Sequence, residues 1–202
     1  MTYFLGLTGG IATGKTTVSQ MLAQQGIPII DGDQVAHQVL ANNQSVQAQI
    51  QATFGKQLVQ DGQVDRAALG KLVFGNQAAL AQLNAITAPV IRETIMTEML
   101  RPKRTKVPLV VLDLPLLYEQ HYETVCDGVL VIYLPVEKQL ARLRARNQLS
   151  REDALKRINS QASLAEKRDR ADFVIDNQGS LDQLKAQLKT VLEGVRHKSG
   201  MS

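Results

Sequence analysis

At 202 residues, with 44% hydrophobic and 21% charged side chains and a net charge of +4, the chain suits one globular core with appended subdomains and excludes fibrous or disordered classes. Mild basicity fits anionic ligands, but Trp is absent, aromatics are 4% and no basic stripe is interleaved with aromatics, so no nucleic-acid partner is expected. The single Cys126 excludes an internal disulfide and a multi-cysteine metal site, and no apolar run approaches a membrane span; a cytoplasmic protein with no membrane partner is expected.

Tyr3 to Thr8 reads as a buried strand, and Val18, Met21 and Leu22 mark the core face of a helix that Gly26 ends. Between them lies Gly9-Gly10-Ile11-Ala12-Thr13-Gly14-Lys15-Thr16, which satisfies G-x-x-x-x-G-K-[ST]. With four constrained positions, a random chain of this length would match on the order of once in a hundred. The strand-loop-helix setting is what makes it a phosphate-binding loop, since inward-turned backbone N–H groups and the helix N-terminus then meet phosphate oxygens. Gly9, Gly10 and Gly14 allow close approach, whereas Ala12 and Thr13 are expected to keep ordinary backbone angles.

Ile27 to Ile30 forms a second short strand, and Pro28 places it at a sheet edge. Asp31 and Asp33 follow at its carboxyl end, where open parallel sheets gather ligand chemistry. Asp33 is the candidate general base for an alcohol acceptor; the alternative is that both carboxylates only cap the next helix.

From Gln34 to Lys106 the pattern is helical: Val35–Leu40, Val46–Phe54, Arg66–Phe74 behind an Asp65 cap, Ala78–Ile86, and Val90–Leu100 after Pro89. Asp61-Gly62 between Leu58-Val59 and Val64 suggests a small hairpin. So long a crossover must be an inserted helical subdomain, expected to bind the acceptor. The basic run Arg101 to Lys106 reads as a solvated linker.

Val107 to Leu112 is a third, buried strand ending in Asp113-Leu114-Pro115, followed by strands at Val129–Leu134 and Phe173–Ile175. Asp113 could hold magnesium through water or cap the turn that Pro115 makes; the two readings stand level. The charged helical stretches Glu137–Asn147 and Arg151–Asp169, with a cap at Ser150, put Arg142 and Arg146 on one face and Arg144 on another. Such guanidinium groups could steady a transferring phosphoryl group, although taken by itself the charged run reads as a solvated helix face. Arg157, Lys167 and Arg170 are weaker candidates. Ser180 caps a last helix, and residues 197–202 read as a frayed tail. His37, His121 and His197 lack metal-ligand spacing, and Cys126 lacks an activating base.

The combined pieces resemble the dephospho-coenzyme A kinase family nearly end to end. They are Leu7 to Val18 around the loop, Ile30-Asp31-Gly32-Asp33, Phe54-Gly55, Asp61 to Arg66, Leu112 to Glu119, Gln139-Leu140 with Arg142-Leu143 and Arg146, Arg157-Ile158 with Gln161, and Ala171-Asp172 leading to Asn177. The resemblance implies an α/β phosphate-loop kinase: a five-stranded parallel sheet flanked by helices, carried by residues 1–33 and 107–196. It adds a helical acceptor subdomain over 34–106 and a lid at about 137–169. It further implies transfer of the ATP γ-phosphoryl group, with magnesium, to the ribose 3′-hydroxyl of dephospho-coenzyme A. A monomer is expected, with an oligomer left open.

On that basis Gly10, Ile11, Ala12, Thr13, Gly14, Lys15, Thr16 and Thr17 would bind the nucleotide, with Thr16 ligating the metal. Lys15, Asp33 and Arg142 would act in catalysis, and Asp33, Asp113 and Pro115 would meet the acceptor. Replacing Lys15 with Ala is expected to end turnover while hardly changing the melt. Two positions depart from the family pattern: Gly32 where Ala is usual between the carboxylates, and Ala88 where His usually precedes Pro89.

Overall fold

The computed structural model describes residues 1–200. Its main sheet contains β1 (Tyr3–Gly9), β2 (Ile29–Asp31), β5 (Leu109–Asp113), β6 (Gly128–Tyr133) and β7 (Phe173–Asp176), in the order β2-β5-β1-β6-β7. The sheet is parallel, with β1 at its centre. All seven β1 residues are buried, as an uninterrupted apolar strand covered on both faces must be. β2 is the edge strand that Pro28 called for, and the Pro28 carbonyl accepts from the Val111 N–H at 2.9 Å.

The chain divides into two compact units, Met1–Ile30 with Pro102 onward, and Asp31–Arg101. In the first, α1 (Lys15–Gln24) and α9 (Leu181–Ser199) cover the sheet. Val18 and Leu22 from α1, and Leu184, Leu188 and Val195 from α9, join Leu5, Leu7, Val111 and Leu130 in one buried cluster. Each fully buried Leu contributes about 1.5–3 kcal/mol, and register is fixed because a one-residue slip would turn every such side chain to the other face. That register sets Leu7 of β1 beside Asp113 of β5, and Gly9 beside Ile132 of β6. The carboxyl ends of the central strands are thereby brought to the glycine-rich loop.

The charged region after β6 forms α6 (Val136–Asn147), α7 (Arg151–Ile158) and α8 (Leu164–Asp169). The expected continuous run from Arg151 to Asp169 is broken over residues 159–163, and the Ser150 hydroxyl caps α7 by accepting from the Asp153 N–H. Leu140, Leu143 and Ala154 of these helices pack with Ile11 and Ala12 of the loop.

The second unit holds α2 (Gly32–Asn42), α3 (Gln44–Phe54), the hairpin β3 (Val59–Gln60) and β4 (Gln63–Val64), α4 (Arg66–Val73) and most of α5 (Gln77–Arg104). Asp61 and Gly62 both take positive φ, 50° and 72°, as a tight two-residue hairpin turn requires. The two helices expected on either side of Pro89 are instead one, the 28-residue α5, which also runs through Pro102. A proline there removes one backbone bond, but Ile95 and Met99 are buried to 0% and 1% exposure, and that packing outweighs the loss. The run expected as a solvated linker is therefore helical to Arg104, and the unit boundaries move from after Asp33 and Lys106 to after Ile30 and Arg101.

His197 to Ser199 also continue α9 instead of fraying. Lys198 Nζ donates to Asp172 Oδ1 at 2.9 Å, and Gly200 closes the helix in the left-handed region. Met201 and Ser202, the end of the expected tail, lie outside the described residues.

Candidate active site

The loop after β1 is wired so that its carbonyls are satisfied on the outside. The Gly10 carbonyl accepts from the Thr13 hydroxyl at 2.9 Å and from the Thr13 N–H at 3.3 Å, and Thr13 is fully buried. The Thr13 carbonyl accepts from Asn177 Nδ2 at 2.7 Å. In a planar trans peptide the carbonyl and the next N–H point opposite ways, so anchoring the Thr13 oxygen to Asn177 aims the Gly14 N–H away from Asn177.

Ala12 and Gly14 have φ of 60° and 94°, and alternating left-handed residues form a concave nest of N–H groups. Ala12 thus does not keep the ordinary angles expected of it. The strain is on the order of 1–2 kcal/mol, and packing of Ala12 beside Ile11 against Leu140, Leu143 and Ala154 offsets it. Gly14 has no such latitude: besides its positive φ, a Cβ there would collide with the Asn177 amide. A Cβ on Gly10 would fall 2.7 Å from Oε1 of the buried Gln139.

Helix α1 begins at Lys15 with no side-chain cap and no acidic residue in its first turn. Its leading N–H groups and positive dipole end are consequently left for an anion. Thr16 and Thr17 stand exposed in that first turn, and neither hydroxyl makes a hydrogen bond among the described residues. Lys15 is ion-paired with Asp113 at the end of β5, and the Asp113 residue is only 4% exposed. The carboxylate left open between magnesium and turn capping therefore has a third partner, the loop lysine itself.

Pro115 presents its carbonyl to two donors, the Thr8 hydroxyl at 3.1 Å and Lys167 Nζ at 3.0 Å. Lys167 is 1% exposed and is also 2.7 Å from Glu119 Oε1, which accepts in addition from the Ala162 N–H at 2.9 Å. This buried tie from α8 to the segment after β5 is one that sequence reasoning undervalued. Lys167 sits in a run of charges with nothing to set it apart from solvated neighbours.

The arginines of α6 separate. Arg142 Nη2 donates to the Asn177 carbonyl at 2.9 Å, so α6 and the loop meet through one residue. Arg146 Nε instead donates to Asn147 Oδ1 at 2.8 Å, and Arg144 reaches the Leu149 carbonyl. In the sequence Asn177 is no more than the end of a motif, and its hold on Thr13 spans too much sequence for any local pattern to reveal.

Asp31 and Asp33 belong to the second unit. Asp31 caps α2, its Oδ1 accepting from the Asp33 and Gln34 N–H groups at 2.9 and 3.1 Å, while Asp33 stands exposed in the first turn. The capping reading holds for Asp31.

No group of three or more His, Cys, Asp or Glu able to hold a metal exists among the described residues. A divalent ion would need phosphate oxygens to complete its shell, and the donors on this side, the Thr16 hydroxyl and the Asp113 carboxylate, are hard oxygens suited to magnesium. No described helix is long and apolar enough to cross a membrane.

A parallel five-stranded sheet with an anion-binding nest between β1 and an uncapped α1 defines the phosphate-loop kinase class. The family model described as dephospho-CoA kinase matches residues 3–183. A protein of that name from Latilactobacillus sakei subsp. sakei (strain 23K) is 96% identical over all 202 residues, covering the whole of both chains. Among solved structures, the dephospho-CoA kinase of Campylobacter jejuni is similar at 30% identity and a TM-score of 0.76 over 100% of each chain. A Thermus thermophilus protein is similar at 37% identity and a TM-score of 0.80, over 96% of this chain and 97% of its own. The chain belongs to the dephospho-CoA kinase family.

Proposed function

We propose that the protein transfers the γ-phosphoryl group of ATP to the ribose 3′-hydroxyl of dephospho-coenzyme A, giving coenzyme A and ADP. The observation that carries the reading is the loop: a nest of backbone N–H groups, closed on its outer side by Asn177, opening onto an uncapped helix.

In the reaction the acceptor O–H bond breaks, the new P–O bond forms in line, and the bond from the γ-phosphorus to the ADP oxygen breaks. Backbone N–H groups between Gly10 and Thr17, apart from that of Thr13, which is turned to the Gly10 carbonyl, hold the donor phosphates. Lys15, stationed by Asp113, places its charge on the transferring group. Arg142, tied to the loop through Asn177, belongs to the lid formed by α6, α7 and α8, whose closure excludes water. Asp33 orients the acceptor hydroxyl and takes its proton. Asp113 and Pro115, at the end of β5, border the acceptor. The Thr16 hydroxyl would hold magnesium, supported by the Asp113 carboxylate, and the ion would supply positive charge to the donor phosphates. The second unit carries the acceptor. The protein acts as a monomer in the cytoplasm on small molecules, in keeping with its single free thiol.

The decisive experiment incubates the protein with magnesium-ATP and a panel of dephospho-coenzyme A, shikimate, gluconate and nucleoside monophosphates. Phosphorylation of dephospho-coenzyme A alone is expected, and turnover of only another acceptor overturns the reading. Asp33→Asn should lower kcat by about 10²-fold or more while ATP binding is retained. A loss of less than a few-fold would leave Asp33 as a turn residue.

A further inference from the structure

On the second unit two basic side chains are held against each other. Arg66 Nη2 lies 2.5 Å from His37 Nε2, so the guanidinium donates to a neutral imidazole. Neither residue takes part in any ion pair among the described residues. The acid next in sequence to Arg66 is committed elsewhere: Asp65 Oδ1 caps α4 by accepting from the Ala67 and Ala68 N–H groups at 3.0 and 2.9 Å.

The placement is built. Gln47, 7% exposed, sends its side-chain amide to the carbonyls of Leu40 and Ala41 at the end of α2, and to the Gly62 carbonyl in the hairpin turn at 2.9 Å. That clamp fixes the hairpin to α2, and Arg66 opens α4 two residues after the hairpin. A guanidinium and an imidazole held together without a carboxylate can receive an anion, because the guanidinium presents a planar fork of donors and the imidazole's other ring nitrogen can add an N–H. The unit as a whole offers no general attraction. Its five cations, Lys56, Arg66, Lys71, Arg92 and Arg101, face six acids, Asp31, Asp33, Asp61, Asp65, Glu93 and Glu98. An anionic acceptor must therefore be met by a placed pair.

We infer that Arg66 and His37 form the anion subsite of the acceptor unit and bind the 5′-diphosphate of a nucleoside-diphosphate acceptor. Asp33 and His37 are four apart on α2, so they share a face one turn, about 5.4 Å, apart. A ribose spans a comparable length between its 3′-oxygen and its 5′-phosphate. One sugar can then present its hydroxyl at Asp33 while its diphosphate reaches His37 and Arg66. The inference rests on the acceptor reading proposed above for Asp33 and extends it to what fixes the acceptor in place.

The test compares wild type, Arg66→Gln, Arg66→Lys and His37→Gln in steady-state kinetics, with dephospho-coenzyme A and with adenosine, which lacks the diphosphate. Arg66→Gln should raise KM for dephospho-coenzyme A about 10- to 100-fold. Its KM for ATP and its turnover of adenosine should stay within about twofold of wild type, as expected from a lost charge-assisted contact alone. Arg66→Lys should recover part of the loss, and His37→Gln should show a smaller rise of the same kind. Titration of dephospho-coenzyme A by calorimetry, without ATP, should give the same order. A KM unchanged in both Gln variants, or a loss shared equally by adenosine, overturns the subsite even if wild type phosphorylates dephospho-coenzyme A normally. If wild type does not accept dephospho-coenzyme A at all, the functional reading falls first and the subsite falls with it.

Discussion

The side-chain amide of Asn177 donates to the backbone carbonyl of Thr13 at 2.7 Å, a bond between residues 164 positions apart. The same residue's backbone carbonyl accepts from Arg142 and is kept when the side chain is cut back, so loss of the amide should loosen the phosphate loop while leaving α6 hitched. Asn177→Ala is expected to raise KM for ATP about tenfold, the worth of one buried hydrogen bond of roughly 1.4 kcal/mol. Gly14→Ala should be far worse, since it adds an unfavourable φ of 94° to a collision with the Asn177 amide. ADP binding measured by calorimetry checks both, and unchanged affinity in Asn177→Ala would show that the loop holds its shape alone.

Lys15→Ala should abolish turnover, but the expectation of an undisturbed melt does not survive the structure. Asp113, 4% exposed, would lose its cation and keep its charge in a buried place. A cost of about 2 kcal/mol follows, lowering Tm by roughly 4–8 °C. Adding Asp113→Asn to Lys15→Ala should recover most of the melt and none of the activity. Thermal melts of the three variants decide it, and equal Tm for Lys15→Ala and wild type would mean that water already screens Asp113.

Legibility followed sequence distance. The strand-loop-helix of residues 3–24, the Asp61-Gly62 hairpin, the edge position of β2, and the caps Asp65, Ser150 and Ser180 each depend on neighbours within a few residues, and each was readable from them. The pairs Lys15–Asp113, Asn177–Thr13 and Lys167–Glu119 depend on which strands adjoin, which no local pattern states. Pro89 misled because its intrinsic cost was weighed without the burial of Ile95 and Met99, which keeps α5 whole. Ala12 misled for a similar reason, its left-handed angle being held by the packing around Ile11.

Cys126 should be inert in the native protein. Burial, then the nearby Asp127 and Glu123 carboxylates, push its thiol up to about 12, and its Sγ donates to the Tyr122 carbonyl at 3.3 Å. At pH 8 the thiolate fraction is on the order of 10⁻⁴, against roughly a quarter for an ordinary cysteine of pKa near 8.5. Labelling with iodoacetamide should accordingly proceed at least 10²-fold more slowly than in the urea-unfolded chain. Native labelling at the unfolded rate would contradict the burial.

The end of α9 should make stability depend on acid. Burial alone would raise the Asp172 carboxyl, but the Lys198 hydrogen bond and the Val129 N–H outweigh it and hold the group below its usual range. A carboxyl lowered by folding contributes fully above its unfolded value of about 3.9, and that contribution is lost as pH falls through the lower folded value. Both partners are substantially exposed, so solvent screening limits the Lys198 share to about 0.5 kcal/mol, or 1–2 °C in Tm. Lys198→Met should therefore melt about that much lower than wild type at pH 6, and the two should converge as pH approaches 2. Calorimetric scans from pH 6 to 2 check this, and a gap that stays constant with pH would mean that Lys198 acts through its contact with the Phe173 ring and not through Asp172.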